Sequence, residues 1–401
     1  MKNRRLLLLV SVVALVMALG LVAAVSGCGE ESTTTTAAPT TATTAAPTDT
    51  TAAPTDTTAA PTDTTAASTE TTVAEWTGEK IKLKYADQNA ETGWVGKEAA
   101  NPWLDQVEAA TGNRVEIERF FGQTLMTGAD TWEGLKAGIA DLAWCMHQYW
   151  QNLTPLAEVM TLPFMPYDSG ELGGAVMWTL YEEFPSIREQ FADNHPVALW
   201  TSSPFYLLTV DKPVYKPEDM KGMKIRTLGG PPTAMMEAIG AVPVGMPMPD
   251  TYQALQTGVL DGILTNWESL YSFRHYEVGK YLTLVPFHTG LFGVSFNNNS
   301  WNGLPEEVKQ QIESVSLRDG SMFWGRNMFD TAAVAVADII KEKGFELEII
   351  TPTEEEIKTV WADVYGQPLW EEWVTKMEAA GHTDARAILD RALELLDAST
   401  R

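Results

Sequence analysis

Arg226 closes the hexapeptide KGMKIR at 221–226 and is followed, two residues later, by Gly229-Gly230-Pro231-Pro232. The run 223–228 reads as a short strand, the glycine pair as a tight turn, and the two prolines open an apolar-periodic segment, 233–239, that reads as a helix. In open α/β sheets, ligands collect beyond the carboxyl ends of strands, where helix N-termini offer free N–H groups and a positive dipole. An arginine placed there can receive an anion, because its planar and permanently charged fork takes a carboxylate bidentately. The plainer alternative is a surface arginine paired with a nearby carboxylate.

No other group of residues has the spacing of reactive chemistry. His147, His195, His275, His288 and His382 form no HExxH and no pair at i, i+4, and the two cysteines form no CxxC, so no metal site is expected. There is no GxSxG elbow, no phosphate loop and no GxGxxG after a strand, which leaves no catalytic residue to name and no cofactor to expect. A triad scattered along the chain would leave no such mark. Glu182-Glu183 and the run 354–356 read as solvated helix faces. Cys145 lies in DLAWCM at 141–146, a run that reads as a buried strand, where a free thiol behaves as a small hydrophobe.

The elements that must position Arg226 alternate in type. Residues 221–267 hold strand, glycine turn, helix, strand, helix and strand. Upstream, strands at 81–87, 114–121 and 141–146 enclose helices at 96–111 and 129–139, a β-α-β-α-β order that predicts an α/β fold. Gly112 and Gly138 sit where helices end, and residues 129–131 offer caps at the second helix's start. A helix at 171–192 and a strand at 196–203 complete this half, and Ser202-Ser203-Pro204 marks a crossover into a second domain that opens at Tyr206. The apolar run 281–296 reads as two strands broken near Thr289-Gly290, the return crossover. A long helical region from Pro305 to about 343, a strand at 345–350, and helices from Thr353 and Thr383 follow, the last elements packing across both domains. Two crossovers between two α/β domains predict a hinged clamshell with a ligand cleft between them.

The stretch around Arg226 resembles the signature region of the solute-binding subunits of tripartite ATP-independent periplasmic (TRAP) transporters. In that family an LKGLKIR strand supplies the arginine for the substrate carboxylate and a YxALQTGxxDG segment follows. The likeness covers 221–226 and 252–262, with Gly240 and Pro243 between them, and extends more weakly from residue 81 to the C-terminus through FGQ at 121–123, the L..G..D spacing of 135–141 and LPF at 162–164. It implies a two-domain periplasmic-binding-protein clamshell, Arg226 as carboxylate anchor, and a secondary transporter with two membrane subunits as partner. The family's asparagine after DG falls on Thr265 by direct count, or on Asn266 with one insertion. Many members carry a second arginine in GFR.LT, where this chain has PFYLLT at 204–209, so Tyr206 stands in that column. Losing one cation disfavours a dianionic ligand, while Tyr206, Trp267, Trp144 and Trp200 offer aromatic walls for an apolar body, core packing being the alternative for each.

The N-terminus has the form of an export signal: Lys2, Arg4 and Arg5 precede an uncharged apolar run, 6–25. Val25-Ser26-Gly27-Cys28 resembles the lipobox of bacterial lipoproteins, whose cysteine carries the lipid, against the alternative of a permanent transmembrane anchor. From about 32 to 72 the chain is almost wholly Thr, Ala, Pro and Asp, a composition that cannot bury enough surface to offset its ordering entropy and reads as a tether. The expected organisation is a signal peptide at 1–27, lipidated Cys28 and tether to 76, domain I at 77–203 plus 292–335, and domain II at 204–291 plus 336–401 with the C-terminal helices. A formal charge of −25 argues against nucleic acid or anionic lipid surfaces as partners. These expectations combine into a lipid-anchored extracytoplasmic receptor for a small organic acid, with Arg226 on the carboxylate, Thr265 or Asn266 adding a hydrogen bond, and Tyr206, Trp267 and Trp144 lining the pocket. The alternatives are a binding protein of an ATP-driven importer or of a sensor system, and a secreted enzyme acting on a carboxylate substrate.

Overall fold

The computed structural model describes residues 75–150 and 152–399. The expected signal segment, Cys28 and all of the tether up to residue 74 lie outside the described residues. No helix among the described residues is long and apolar enough to cross a membrane.

Among the described residues eleven strands form two sheets, and the chain passes between them three times. β1 (Ile81–Ala86), β2 (Val115–Phe120), β3 (Leu142–Met146) and β4 (Asn194–Thr201) belong to the first sheet. β5 (Phe205–Thr209), β6 (Lys224–Arg226), β7 (Val242–Val244), β8 (Gly262–Thr265) and β9 (Tyr281–His288) belong to the second. β10 (Leu291–Asn297) returns to the first, and β11 (Glu348–Ile350) closes the second. The orders are β2-β1-β3-β10-β4 and β11-β9-β5-β8-β6-β7. The strands that make the first two crossovers run against both neighbours: β5 is antiparallel to β8 and β9, and β10 is antiparallel to β3 and β4. The strands fed through helices pair parallel, as right-handed crossovers require.

Burial follows position. β3 and β10 lie inside the first sheet with both faces covered, and every residue of each is buried, which is why LAWCM and LFGVSFN read as continuous apolar runs. The first two crossovers lie side by side: the Ser202 N–H donates to the Gly290 carbonyl at 3.0 Å, and the Gly290 N–H donates to the Ser202 Oγ at 2.8 Å. The third, from β10 to β11, runs through the helices after Pro305 and is not among the two that the sequence predicts. Tyr167 and Thr289 brace this point, their hydroxyls 2.7 Å apart and both donating to the Met160 carbonyl.

Three local expectations are corrected. The helix expected at 171–192 is two, Gly170–Glu183 and Pro185–Gln190, because Pro185 lacks an N–H and holds Phe184 in an extended conformation. The long helical region after Pro305 is broken at Ser316, so Glu306–Glu313 and Leu317–Gly325 are separate helices. Asp130 does not cap the Thr131–Lys136 helix, since its carboxylate takes the Thr127 hydroxyl at 2.6 Å instead. Near the C-terminus the Gln367–Ala379 and Ala385–Ser399 helices bury Trp373, Val374, Ile388 and Leu396 in the cluster that holds Cys145 and Leu199 of the first lobe. Trp361 instead joins Phe287 and Ile225 of the second.

Candidate functional site

Arg226 is the last residue of β6, a three-residue strand held between β7 and β8. Short parallel neighbours leave its side chain at the carboxyl end of the sheet, yet only 1% of it is exposed. Nε donates to the Met246 carbonyl at 3.1 Å, and Nη2 is buried without a partner. Burial lowers the guanidinium pKa to about 10, with the nearby Tyr149 phenol acting the other way, so the group is charged at neutral pH. A buried cation without an opposing charge is costly, by several kcal/mol even after relaxation.

The helix start beside it is not open to a ligand, which corrects the reading of Gly-Gly-Pro-Pro as a vacant anion cradle. The Gly230–Ile239 helix does begin there, but the Gly230 backbone N–H points at the carboxylate of Glu158 from the first lobe. Burial raises Glu158 to about 7, and the Gly230 N–H and Lys376 pull the other way. The protein thus supplies its own acid to this helix dipole. Gly229 has φ +83°, and a Cβ there would stand 3.0 Å from Gln148 Nε2, so two constraints fix glycine at this position.

The first lobe reaches Arg226 through the turn His147–Tyr149 that follows β3. The Tyr149 hydroxyl donates to Gln88 Oε1 at 3.1 Å and accepts from the Met248 N–H at 3.2 Å, which ties both lobes to one oxygen. Burial raises the Tyr149 phenol and the Arg226 charge lowers it. Gln148 sends Nε2 to the Leu228 carbonyl at 3.4 Å and receives the Leu291 N–H on Oε1 at 3.1 Å.

The expected partners of Arg226 divide into two groups. Tyr206 and Thr265 stand opposite each other in the β5–β8 register, and Arg226 faces Ile263 of the same β8. Tyr206 is half-buried, its phenol raised by burial and by Asp168. The Thr265 hydroxyl makes a long contact, 3.4 Å, to the Asn266 carbonyl. Asn266 caps the Trp267–Ser272 helix, its Oδ1 taking the Ser269 N–H at 2.9 Å, while its Nδ2 is buried without a partner. Trp144 is not brought into this group, whereas Trp267 packs against the same apolar cluster as Tyr206 and Met246. Trp144 packs on Phe292 within the first lobe's core, with ring centroids 5.4 Å apart, and Trp200, the other candidate wall, stacks on Trp324 in the same core. The Trp267 ring lines a groove with Ile340, Phe345 and Leu347.

Several buried polar groups here left no mark in the sequence. Glu268 is 1% exposed, with Oε1 on Ser272 Oγ at 2.5 Å and Oε2 on Ser269 Oγ at 3.1 Å. Asp87, on the first lobe, accepts from Tyr85, from the Asn89 N–H and from Asn89 Nδ2 at 2.6–2.8 Å. Burial raises Glu268 to about 7, with the charge of Asp87 adding to the rise, and burial raises Asp87 to about 6. His275 and His288 are buried close enough to Arg226 for its charge to oppose their protonation, and both are pushed down to about 3, chiefly by burial. The strand-end rule that selected Arg226 could also have found Gln148 and Tyr149, which follow β3 directly. No spacing announces the two histidines.

Comparison with known proteins places this geometry in a family. Residues 85–376 match the model of the bacterial extracellular solute-binding proteins, family 7. The 2,3-diketo-L-gulonate-binding periplasmic protein of Escherichia coli is 24% identical over 62% of this chain and 75% of its own. The C4-dicarboxylate-binding periplasmic protein of Rhodobacter capsulatus is 28% identical over 59% and 71%. Among solved structures, a TRAP solute-binding protein from Rhodoferax ferrireducens with copurified benzoate superposes with a TM-score of 0.74, at 24% identity over 80% of this chain and 99% of its own. A marine-metagenome TRAP solute-binding protein specific for aromatic acid ligands, holding 3-hydroxybenzoate, gives 0.72 at 23% identity over 80% and 99%. At these identities the structural likeness establishes the two-domain fold.

Proposed function

The chain belongs to family 7 of the bacterial extracellular solute-binding proteins, the solute-binding proteins of TRAP transporters, and from that premise we propose that it captures a small organic acid through Arg226 and hands it to the transporter's membrane subunits. The observation that carries this reading is the state of Arg226: charged, 1% exposed, with Nη2 unpaired and no carboxylate paired with it among the described residues. A bidentate carboxylate turns that cost into a desolvated ion pair, which is where a guanidinium fork binds best. Asn266 Nδ2, also buried and unpaired, is a second donor for the same anion.

The ligand of this reading is a monocarboxylate with an apolar or aromatic body. Tyr206 occupies the column in which many relatives place a second arginine, and Asp168 raises the phenol further, so a second ligand carboxylate there would meet no cation and one like charge. The aromatic-acid ligands of two structural neighbours agree with this choice. The protein binds without turnover, and it is held at the outer face of the cell membrane by a lipid on Cys28. The buried crossover pair Ser202 and Gly290 is the hinge.

Native mass spectrometry of the purified protein tests the reading by identifying any acid that copurifies. A thermal-shift panel of aromatic monocarboxylates, short dicarboxylates and uronates ranks the class, since a ligand at 100 times its Kd adds about 2.7 kcal/mol of stability. If no carboxylate copurifies or shifts the transition, acid capture is wrong. If only dicarboxylates shift it, the use made of Tyr206 is wrong.

A further inference from the structure

The proton positions on two buried histidines select a kind of ligand. His288 Nδ1 lies 2.8 Å from the Thr289 carbonyl oxygen. A carbonyl can only accept, so the ring proton sits on Nδ1 and Nε2 is a bare acceptor. That Nε2 is buried and has no partner. His275 reaches the same condition in two steps. The Thr251 hydroxyl gives its proton to the Met248 carbonyl at 2.6 Å, so towards His275 Nε2, at 2.7 Å, it can only accept. The His275 proton is therefore on Nε2, and Nδ1 is left bare, buried and unpartnered. Neither nitrogen can be satisfied by picking up a proton, because burial and the Arg226 charge hold both rings neutral down to about pH 3.

Arg226 Nη2 and Asn266 Nδ2 are donors for an anion, the two histidine nitrogens are lone pairs that need a donor, and the strand register puts Arg226, Thr265 and His288 at the same end of the second sheet. Resting on the reading that Arg226 holds the ligand's carboxylate, we propose that the ligand is a hydroxy acid whose hydroxyl donates its hydrogen bond to His288 Nε2 or His275 Nδ1. The carboxylate brings no proton, so it is a second polar group on the ligand that would satisfy these nitrogens. A hydroxyl does so while leaving the body apolar, in keeping with Tyr206 and Phe205, whose ring packs edge-on to His288 at 4.8 Å. An acid lacking that hydroxyl leaves the ring nitrogen buried and unpaired, and sites built around a ligand hydroxyl reject the analogue without it far more strongly than a greasy pocket rejects a missing methylene.

Calorimetry on the full chain, stripped of copurified ligand, with three matched pairs tests this: 3-hydroxybenzoate and benzoate, mandelate and phenylacetate, lactate and propionate. In at least one pair the hydroxylated acid is expected to bind tenfold or more tighter. His288→Phe or His275→Phe, whichever removes the acceptor used, should bring that ratio close to one. The corresponding Gln variant keeps an acceptor oxygen, so it should restore part of the preference, and it serves as the reporter if a Phe variant does not fold. Equal binding within every pair, or a preference unchanged in both histidine variants, overturns the hydroxy-acid assignment while acid capture stands. If none of the six acids binds, acid capture fails and this assignment falls with it.

Discussion

The Nε–H of Arg226 meets the Met246 carbonyl at 3.1 Å, which pins the guanidinium by one edge and leaves Nη2 free inside the protein. The side chain is thereby oriented before any ligand arrives, and it bears the desolvation cost alone. Arg226→Ala should weaken binding of the copurified acid about thirtyfold or more, since truncating one partner of a buried charge pair costs roughly 2–5 kcal/mol. Arg226→Lys keeps the charge without the fork and should recover part of the loss. Arg226→Met should leave the ligand-free protein at least as heat-stable as the wild type, because it removes an unpaired buried charge. Calorimetry reads the first two and thermal denaturation the third; binding within threefold of wild type for Arg226→Ala would place the carboxylate elsewhere.

Tyr149 brings a first-lobe oxygen to second-lobe backbone. Tyr149→Phe strands the Met248 N–H and Gln88 Oε1, both in buried residues, at a cost of about 1–3 kcal/mol. If these bonds belong to the closed, liganded state, the variant binds about tenfold more weakly and small-angle scattering of its liganded form shows a larger radius of gyration. Unchanged affinity and radius would mean that closure does not use this bond.

Glu268 gives stability a pH dependence of defined sign. Burial holds its folded-state pKa near 7, against an ordinary value of 4.5. Between those values the folded chain keeps a proton that the unfolded chain has released, so the ligand-free protein loses stability as pH rises through the window, by roughly 3 kcal/mol in full. Glu268→Gln cannot ionise. Measured by urea unfolding, its stability relative to wild type should rise from pH 5 to pH 8, and a constant difference across that range would contradict a penalised Glu268 carboxylate.

Cys28→Ser should release the protein from membranes into the soluble extracytoplasmic fraction. A variant that stays membrane-bound after cleavage of its signal segment would show that the anchor lies elsewhere. Limited proteolysis of the wild type should cut before residue 73 and leave a resistant fragment.

The strand, glycine turn and helix around Arg226 were legible because each is fixed locally: KIR makes β6, and the Gly-Gly-Pro-Pro run can only turn and then start a helix. The first two crossovers were legible for a similar reason, since Pro204 and Gly290 interrupt apolar runs that otherwise continue from one sheet into the other. What fills the helix start was not legible, because Glu158 arrives from the other lobe. Trp144 and Trp267 could not be sorted from the sequence either. An aromatic at a strand end serves a wall or a core equally well, and only Phe292 and the Ile340 face decide which way each ring turns. The histidine tautomers were out of reach for the same reason, being set by Thr251 and Thr289 only once the fold brings them close.

The position of β10 between β3 and β4 bears on how this chain acquires its shape during synthesis. Among the described residues β4 pairs only with β10, so it has no neighbour in its sheet until residue 297 has emerged, after the whole second sheet apart from β11. Neither lobe is contiguous in sequence, and β4 cannot join β1, β2 and β3 before β10 arrives between them. Contacts of such long sequence separation are slow to form, because loop closure must precede any return from pairing. The topology therefore delays completion of the first sheet until residue 297 is present, and completion of the second until β11 has followed.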